Sequence, residues 1–304
     1  MIFFARGRSP HAELAQATAT ATATPSAASL PTGKHVEASL PTESLDAHGC
    51  SIEDHGNGDL VSAAGPGHFK VWVAPAALRP DGGYDLVLHF HGGEAIRKIL
   101  APVTHDLVFA TLDRGDSSGD YAGTFPDRRA WDDAIHGIDH AVGQALGAEA
   151  HADRIALSSW SAGYDAVGEA LGVASADVSG VILLDSLYAS YEGTGNARHP
   201  AAVPRFLAAA KRSLEGDHFT FALTHSEILP PGYASTAEVA DALLAELFVR
   251  SERVERSDPN GMSLSRIAGE RGFVLRGYKG NDAAAHCGHL RLLPELLDVW
   301  RAHR

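Results

Sequence analysis

Short apolar runs alternate with helical stretches from about residue 60 onward, and this alternation constrains the fold more than any other feature. Seven runs have the length and composition of strands, at residues 69–73, 84–91, 107–112, 154–160, 181–184, 219–224 and 273–278. Helical periodicity is found at residues 131–146, 163–171, 204–214, 237–250 and 290–303. Such alternation predicts an α/β fold with a mostly parallel sheet covered by helices on both faces. We therefore expect an active site at the carboxyl ends of the strands.

The charge balance excludes several classes of partner. The 304 residues include 25 basic and 38 acidic side chains, which gives a net charge of −13. Nucleic acids and anionic membrane surfaces select positive patches, so we expect neither as a partner. No apolar run is long enough to predict a membrane span. The sequence leaves the oligomeric state open.

The first 50 residues differ in composition from the rest. Residues 12–30 contain 12 Ala or Thr among 19 positions, and small side chains of this kind bury too little area to offset the entropy of ordering. We expect a disordered leader over residues 1–50 and a catalytic domain over residues 51–304, with insertions at about 192–217 and 251–272. Such leaders often separate an export signal from a secreted domain, which favours a secreted or periplasmic protein and leaves a cytoplasmic one open. Whether Met1 is the true start also stays open.

The sharpest chemical feature is Ser159-Trp160-Ser161-Ala162-Gly163, where a predicted strand runs directly into a predicted helix. A nucleophile elbow needs small residues two positions before and two after its serine, because the turn is strained and the helix packs closely on the strand. Ser159 and Gly163 meet this demand, although Ser159 stands where glycine is usual. The alternative is that Ser161 only caps the helix.

A glycine pair follows an earlier predicted strand in His91-Gly92-Gly93. Glycines let backbone N–H groups turn toward a ligand, and the loop after an early strand can supply one half of an oxyanion hole in this way. The N–H of Ala162, directly after the serine, would supply the other half. A plain tight turn is the alternative. Chain order favours the oxyanion hole, since the glycine loop precedes the serine elbow by one crossover unit.

These motifs, the strand-helix order and a histidine before the final helix resemble the α/β-hydrolase superfamily, in particular serine esterases and lipases, over residues 60–304. The resemblance implies a three-layer sandwich whose central, mostly parallel sheet is flanked by helices. It also implies a triad in the order serine, acid, histidine, with Ser161 as the nucleophile. The implied activity is hydrolysis of carboxylic esters through an acyl-enzyme, and we expect no cofactor and no metal.

Two histidines follow the last predicted strand. His286 is the preferred general base, because it lies at the boundary between loop and helix and can swing toward Ser161. His289, one turn later, is the alternative and is expected to be a supporting or core residue.

The acid has two candidates as well. Asp185 ends the run 181–184, and Glu227 follows the run 219–224. In most α/β-hydrolases the acid follows the later strand, which favours Glu227. Aspartate is the commoner acid, and a minority of the superfamily place it where Asp185 lies. We prefer Asp185 and keep Glu227 as the alternative.

Aromatic residues near these loops are candidates for a substrate pocket, although each could instead be structural packing: Trp160, Tyr164 and Tyr188. The acidic, glycine-rich loop 113–121 is expected at the rim of the site. It resembles a calcium loop but lacks the ligand spacing of an EF-hand, so we assign no metal to it.

The substrate is expected to be a neutral ester, either small or polymeric. The shortage of positive charge disfavours anionic substrates unless arginines such as Arg97 or Arg114 face the site. Insertions after Leu187 and Arg250 could form a lid or leave an open cleft. Acyl and alcohol specificity, including amide or lactone activity, stays open.

Two functions of other kinds remain as alternatives. His89 and His91 share one face of a strand, and His286 and His289 could share a helix face, which would suit a metal-dependent hydrolase. No His-Glu-x-x-His motif accompanies them. A non-catalytic, ligand-binding member of the fold is the other alternative, although such a protein has no need of serine, oxyanion loop and histidine together.

The two cysteines, Cys50 and Cys287, are too few for a disulfide framework and lack Cys-x-x-Cys spacing. A disulfide between them would tether the edge of the leader beside His286, and we state this pairing as a hypothesis.

Overall fold

A ten-stranded sheet forms the centre of the computed structural model, which describes residues 50–216 and 218–303. Except for Cys50, the predicted leader lies outside the described residues. In chain order the strands are β1 Val61–Ala64, β2 Lys70–Val73, β3 Gly83–Phe90, β4 Val108–Leu112, β5 His151–Trp160, β6 Val178–Leu184, β7 Tyr191–Glu192, β8 His199–Pro200, β9 Thr220–His225, β10 Glu252–Ser257, β11 Ser263–Glu270 and β12 Phe273–Tyr278. The sheet order is β1-β2-β4-β3-β5-β6-β9-β12-β11-β10, and β7 pairs with β8 in a separate ribbon.

The six central strands, from β4 to β12 in that order, are parallel to one another. Antiparallel pairs extend both edges of the sheet. Every residue of β3, β4 and β9 is buried. Strands covered on both faces read as continuous apolar runs, which is why the sequence predicts this central region well. The predicted α/β fold is confirmed.

Two groups of helices pack on the sheet. The helices are α1 Gly93–Leu100, α2 Arg128–Leu146, α3 Tyr164–Ala174, α4 Pro204–Glu215, α5 Thr236–Leu247, α6 Ala283–Gly288 and α7 Leu293–Ala302, with 3-10 turns at Ser118–Tyr121, Ser161–Gly163, Gly195–Ala197 and His289–Leu292. The helices α2, α3, α4 and α5 contact one another in succession, whereas α7 packs on β6 and β9. No helix in the described ranges is long and apolar enough to cross a membrane.

Local sequence sets the ends of these helices. The Asp127 side chain accepts a hydrogen bond from the N–H of Ala130 at the start of α2, and Gly147 ends that helix at φ 68°. A reciprocal pair of hydrogen bonds between Ser235 and Glu238 caps the start of α5.

The two predicted insertions have different structures. Residues 251–272 form β10 and β11, which extend the sheet at its edge and do not form a lid. Five of the six residues of β10 are exposed, and an edge strand of this kind carries charges that prevent further pairing. Residues 192–217 contain the short β8 and the predicted helix α4.

Cys50 and Cys287 form a disulfide, as hypothesised. It joins the start of the described chain to α6, and a hydrogen bond of 3.1 Å from Arg291 to the Ser51 carbonyl supports the same contact. A cross-link over 237 positions restricts the unfolded chain and thereby stabilises the folded one.

Candidate active site

Three of the predicted site residues follow central strands at one end of the sheet. Ser161 follows β5, Asp185 follows the adjacent β6, and His286 lies in α6 beyond β12. Carboxyl ends of parallel strands meet at the same edge, which is where ligands bind in sheets of this type.

Ser161 occupies a strained turn between β5 and α3. Its φ is 48°, a left-handed conformation that non-glycine residues rarely adopt. A side chain at Gly163 would collide with the Phe90 carbonyl, so glycine is required there. Ser159, which replaces the usual first glycine, hydrogen-bonds to Ser186 at 2.8 Å, and the Ser186 hydroxyl donates to the Ser161 carbonyl at 2.8 Å. The replacement therefore adds a hydrogen-bonded support beneath the turn.

Asp185 and His286 are in direct contact. Nδ1 of His286 lies 2.6 Å from Oδ2 of Asp185, whose side chain is fully buried. The other carboxylate oxygen accepts hydrogen bonds from the Ser226 N–H at 2.8 Å and the Thr236 hydroxyl at 2.6 Å. Asp185 itself has a φ of 43°. The carboxylate is thus held in one orientation, with one oxygen reserved for the imidazole.

The electrostatics around Asp185 favour its ionised form. Burial raises the pKa of the Asp185 carboxyl, but nearby His289 and His286, together with the hydrogen bonds from His286 and Thr236, lower that pKa by more. The net result is a pKa well below the usual range for aspartate. A carboxylate that stays charged can stabilise an imidazolium beside it.

The alternative residues lie elsewhere. Glu227 accepts a hydrogen bond from the Gly280 N–H at 3.2 Å and is exposed, so it ties two loops together. His289 is fully buried and its Nδ1 lies 2.7 Å from the Thr224 hydroxyl. Among the hydrogen bonds of the described residues, none joins the Ser161 hydroxyl to the His286 ring. In enzymes without bound substrate, the hydrogen bond between nucleophile and base is often long, and it shortens when the substrate binds.

The glycine loop differs from the expectation. The N–H of Gly92 donates to the Asp113 carboxylate at 2.7 Å, and the N–H of Gly93 donates to the same group at 3.1 Å. Asp113 thereby caps the N-terminus of α1, a helix that the sequence did not predict. In this arrangement the two N–H groups donate to a carboxylate of the protein itself, whereas the sequence predicts that they face a substrate oxyanion.

Trp160, a predicted substrate contact, is almost fully buried. Only 2% of its surface is exposed, and it is not among the residues that line the cavity beside Ser161. Its ring stacks on His91 with a centroid distance of 5.2 Å, and it also contacts the His286 ring at a centroid distance of 4.6 Å. The indole N–H donates to the His286 carbonyl at 3.1 Å. Trp160 therefore packs against the His286 ring and holds the backbone of that residue in place.

A cavity of about 350 Å³ opens beside Ser161. The residues that line it are Asp116, Ser117, Ser118, Ser161, Ala162, Tyr164, Tyr188, Ala189, Ser190 and Tyr233. None of these described residues is Lys or Arg, and Arg97 is instead bound to Glu94 and Asp54. The cavity thus combines tyrosine rings and hydroxyl groups with one carboxylate.

The histidines considered as metal ligands have protein partners. Nδ1 of His89 lies 3.0 Å from the Ser158 hydroxyl and its Nε2 lies 2.8 Å from the His91 carbonyl. Nδ1 of His91 lies 3.0 Å from the Tyr121 hydroxyl. No cluster of three or more His, Cys, Asp or Glu that could hold a metal ion occurs in the part of the chain that the structure describes.

Two buried histidines make stability depend on pH. Burial lowers the pKa of His89 and of His289 to about 4, from 6.5 in an exposed histidine. Their contribution to folding is present above pH 6.5 and is lost as the pH falls toward 4, because only the unfolded chain takes up protons in that window. We expect urea denaturation to give a free energy of unfolding that falls from pH 7 to pH 5.

Matched substitutions at a buried and an exposed histidine test whether burial causes this pH dependence of the free energy of unfolding. His289→Gln should reduce the pH dependence by up to about 1.4 kcal/mol per pH unit, whereas His55→Gln, at an exposed position, should leave it unchanged. A free energy of unfolding that stays constant between pH 7 and pH 5 in the wild type would contradict the prediction.

Several residues of the site were not found from sequence. Ser186 and Thr236 act only through hydrogen bonds that need the folded chain, and no local pattern marks them. Asp113 directly follows a predicted strand, and this position indicates a residue near the site. It does not indicate that the carboxylate binds the N–H groups of Gly92 and Gly93.

Similar proteins are found at the level of structure. No protein-family model and no curated sequence matches the chain. The enterobactin esterase FES from Shigella flexneri, in a crystal structure with 2,3-dihydroxy-N-benzoyl-serine, has a TM-score of 0.50 and 16% identity, covering 83% of this chain and 61% of that one. An IroE-like serine hydrolase from Shewanella oneidensis has a TM-score of 0.43 and 11% identity, covering 80% of this chain and 79% of that one.

The present chain spans about three fifths of the length of the Shigella flexneri enzyme. At 16% identity the likeness concerns the fold. It agrees with the parallel centre of the sheet and its flanking helices. The chain has the α/β-hydrolase fold.

Proposed function

We propose that this protein is a serine hydrolase that cleaves carboxylic esters. The observation that carries the proposal is the convergence of a strained serine turn with a buried aspartate-histidine pair at the ends of neighbouring strands. Ser161 has a φ of 48°, and the Asp185 and His286 side chains lie 2.6 Å apart. Ser161 is the nucleophile, His286 the general base and Asp185 the orienting acid.

The chemistry follows from the protonation of the imidazole. Nδ1–H of His286 donates to Asp185, so Nε2 carries the lone pair that accepts the Ser161 proton. Oγ of Ser161 attacks the ester carbonyl carbon, and the carbonyl electron pair moves to oxygen. Collapse of this intermediate expels the alcohol, which takes the proton from His286 and leaves an acyl-enzyme. Water then repeats the sequence and releases the acid.

The substrate is proposed to be a neutral ester. The cavity beside Ser161 contains Asp116 and no cationic side chain among its described residues, and the chain carries a net charge of −13. An anionic substrate would meet repulsion there. Tyr164 and Tyr188 also border a neighbouring cavity of about 620 Å³, so an acyl or alcohol chain has room to extend past the two rings.

Covalent labelling tests the proposal directly. A fluorophosphonate probe should label the wild-type protein at Ser161, and p-nitrophenyl esters of increasing acyl length should be hydrolysed. A polyester film beside the same panel shows whether polymers are accepted. Absence of labelling, under conditions that label a known serine esterase, would contradict the proposal. Binding of the p-nitrophenyl esters without their hydrolysis would instead indicate a non-catalytic member of the fold.

A further inference from the structure

The backbone donors of the glycine loop are already bound within the protein. The N–H of His91 donates to the Leu112 carbonyl at 3.1 Å, and those of Gly92 and Gly93 donate to Asp113. A tetrahedral intermediate at Ser161 develops a full negative charge on one oxygen, and a single donor stabilises it incompletely. The N–H of Ala162 therefore needs a companion from another part of the site.

A tyrosine in the lining of the Ser161 cavity is a candidate for this companion. The Tyr188 hydroxyl donates to the Asp185 carbonyl at 3.3 Å, a distance typical of a weak hydrogen bond. Tyr188 and Ser161 line the same cavity of about 350 Å³. Tyr188 therefore borders the cavity into which a substrate bound at Ser161 would reach, and its present weak bond to a carbonyl is one that the hydroxyl can exchange at little cost.

The surrounding backbone fixes the position of this tyrosine. Leu187, directly before it, is fully buried and has a φ of 99°. Directly after it, the Ala189 carbonyl accepts a hydrogen bond of 2.8 Å from the Ala234 N–H. Strain of this kind persists only where the surroundings hold it, and it occurs preferentially at functional sites.

Two further rings brace the phenol. The centroids of Tyr164 and Tyr233 lie 6.0 Å and 5.5 Å from that of Tyr188. Burial raises the pKa of the Tyr188 phenol, and the charge of Asp185 raises it further. The group thus stays protonated, as a hydrogen-bond donor must, and it is held in place before the reaction begins.

Resting on the proposed role of Ser161, we propose that the Tyr188 hydroxyl is a catalytic donor that binds the anionic oxygen of the tetrahedral intermediate together with the N–H of Ala162. As the bond between Oγ of Ser161 and the carbonyl carbon forms, the carbonyl electron pair moves to oxygen and the serine proton moves to His286. The Tyr188 O–H turns from the Asp185 carbonyl to this oxygen and keeps its own proton. When the electron pair returns, the alcohol leaves with the proton from His286.

Tyr188→Phe tests the assignment, because it removes one oxygen atom and keeps the ring contacts. We expect kcat for p-nitrophenyl esters to fall by about 10²- to 10³-fold, the usual effect of losing one oxyanion donor, while KM changes less than threefold. The Ki of a trifluoromethyl ketone, whose adduct with serine carries an anionic oxygen, should rise by a similar factor. The pH profile of kcat/KM should keep its shape, since the phenol neither gains nor loses a proton.

Tyr191→Phe is the matched control, because that hydroxyl binds Glu238 at 2.8 Å outside the cavity. It should keep wild-type kcat and Ki. If Tyr188→Phe keeps kcat within threefold of the wild type, the proposal is overturned. A loss of kcat with an unchanged Ki also overturns it, since the tyrosine would then only position its neighbours. Wild-type protein that neither hydrolyses esters nor reacts with fluorophosphonate overturns the proposed function itself, which makes the two failures distinguishable.

Discussion

Replacing Ser161 by alanine is expected to lower kcat for ester hydrolysis by roughly 10⁴- to 10⁶-fold, the range found when the nucleophile of a serine triad is removed. The substitution removes only the hydroxyl oxygen. The strained turn is supported by the Ser186 hydroxyl on the Ser161 carbonyl, and this backbone contact remains in the variant. Steady-state rates with p-nitrophenyl acetate measure the loss, and fluorophosphonate labelling should disappear with it.

Ser251→Ala provides the control, since Ser251 is exposed and lies at the far edge of the sheet beside β10. It should keep wild-type kcat and labelling. The thermal midpoint of Ser161→Ala should stay close to that of the wild type, because alanine keeps the Cβ atom and therefore the same backbone strain at the left-handed φ of 48°. A Ser161→Ala protein with at least a tenth of wild-type kcat would remove Ser161 from the mechanism.

Asp185→Asn is expected to lower kcat by about 10⁴-fold, because an amide cannot hold the imidazole tautomer or stabilise the imidazolium that forms. The structure brings Oδ2 of Asp185 within 2.6 Å of Nδ1 of His286. The other oxygen would still accept bonds from Ser226 and Thr236 if it stays a carbonyl oxygen. The measurement is kcat against pH, and part of the activity should return at high pH, where the imidazole is neutral.

Glu227→Gln distinguishes the two acids that follow neighbouring strands. Its carboxylate contacts the Gly280 N–H rather than the imidazole, so its amide variant should keep kcat within about twofold of the wild type. Circular dichroism of both variants checks that the fold is retained. The opposite pattern, an active Asp185→Asn and an inactive Glu227→Gln, would exchange the roles of the two residues.

The centre of the fold could be predicted because its strands are buried on both faces. All eight residues of β3 are buried, and a strand that is buried on both faces has a nearly continuous apolar sequence. The edge strand β10, with the sequence Glu-Arg-Val-Glu-Arg-Ser, has no such run, because five of its residues face solvent. Its pairing depends on β11 and not on apolar periodicity. For this reason the sequence predicted an insertion there instead of two strands.

The sequence does not predict helix α1, because of the residues at its start. Its sequence begins at Gly93 directly after Gly92, whose φ of 82° ends the preceding turn, and two adjacent glycines predict a loop. The helix is nevertheless stable because Ile96 and Leu100 are fully buried and the Asp113 carboxylate caps its N-terminus. The capping residue comes from the end of β4, so no window along the sequence contains both partners.

The candidate site was predictable in its residues but not in all of its geometry. Spacing around Ser161 and the position of His286 before the last helix are local signals. The choice between Asp185 and Glu227 is not local, because both follow strands that are neighbours in the sheet. The left-handed turn at Asp185 and the contacts of its two oxygens favour that residue, and sequence alone shows neither. Trp160 shows the same limit, since its partners His91 and His286 are far apart along the chain.

The disulfide has a topological consequence. Cys50 and Cys287 lie outside the first and last strands, so every strand of the ten-stranded sheet belongs to one covalent ring. A protease that cuts one exposed loop, such as that before β11, opens the ring without releasing a fragment. The nicked protein would run as one species on a non-reducing gel and as two after reduction. Because His286 is adjacent to Cys287, the disulfide also keeps the proposed general base covalently attached to the rest of the sheet after such a cut.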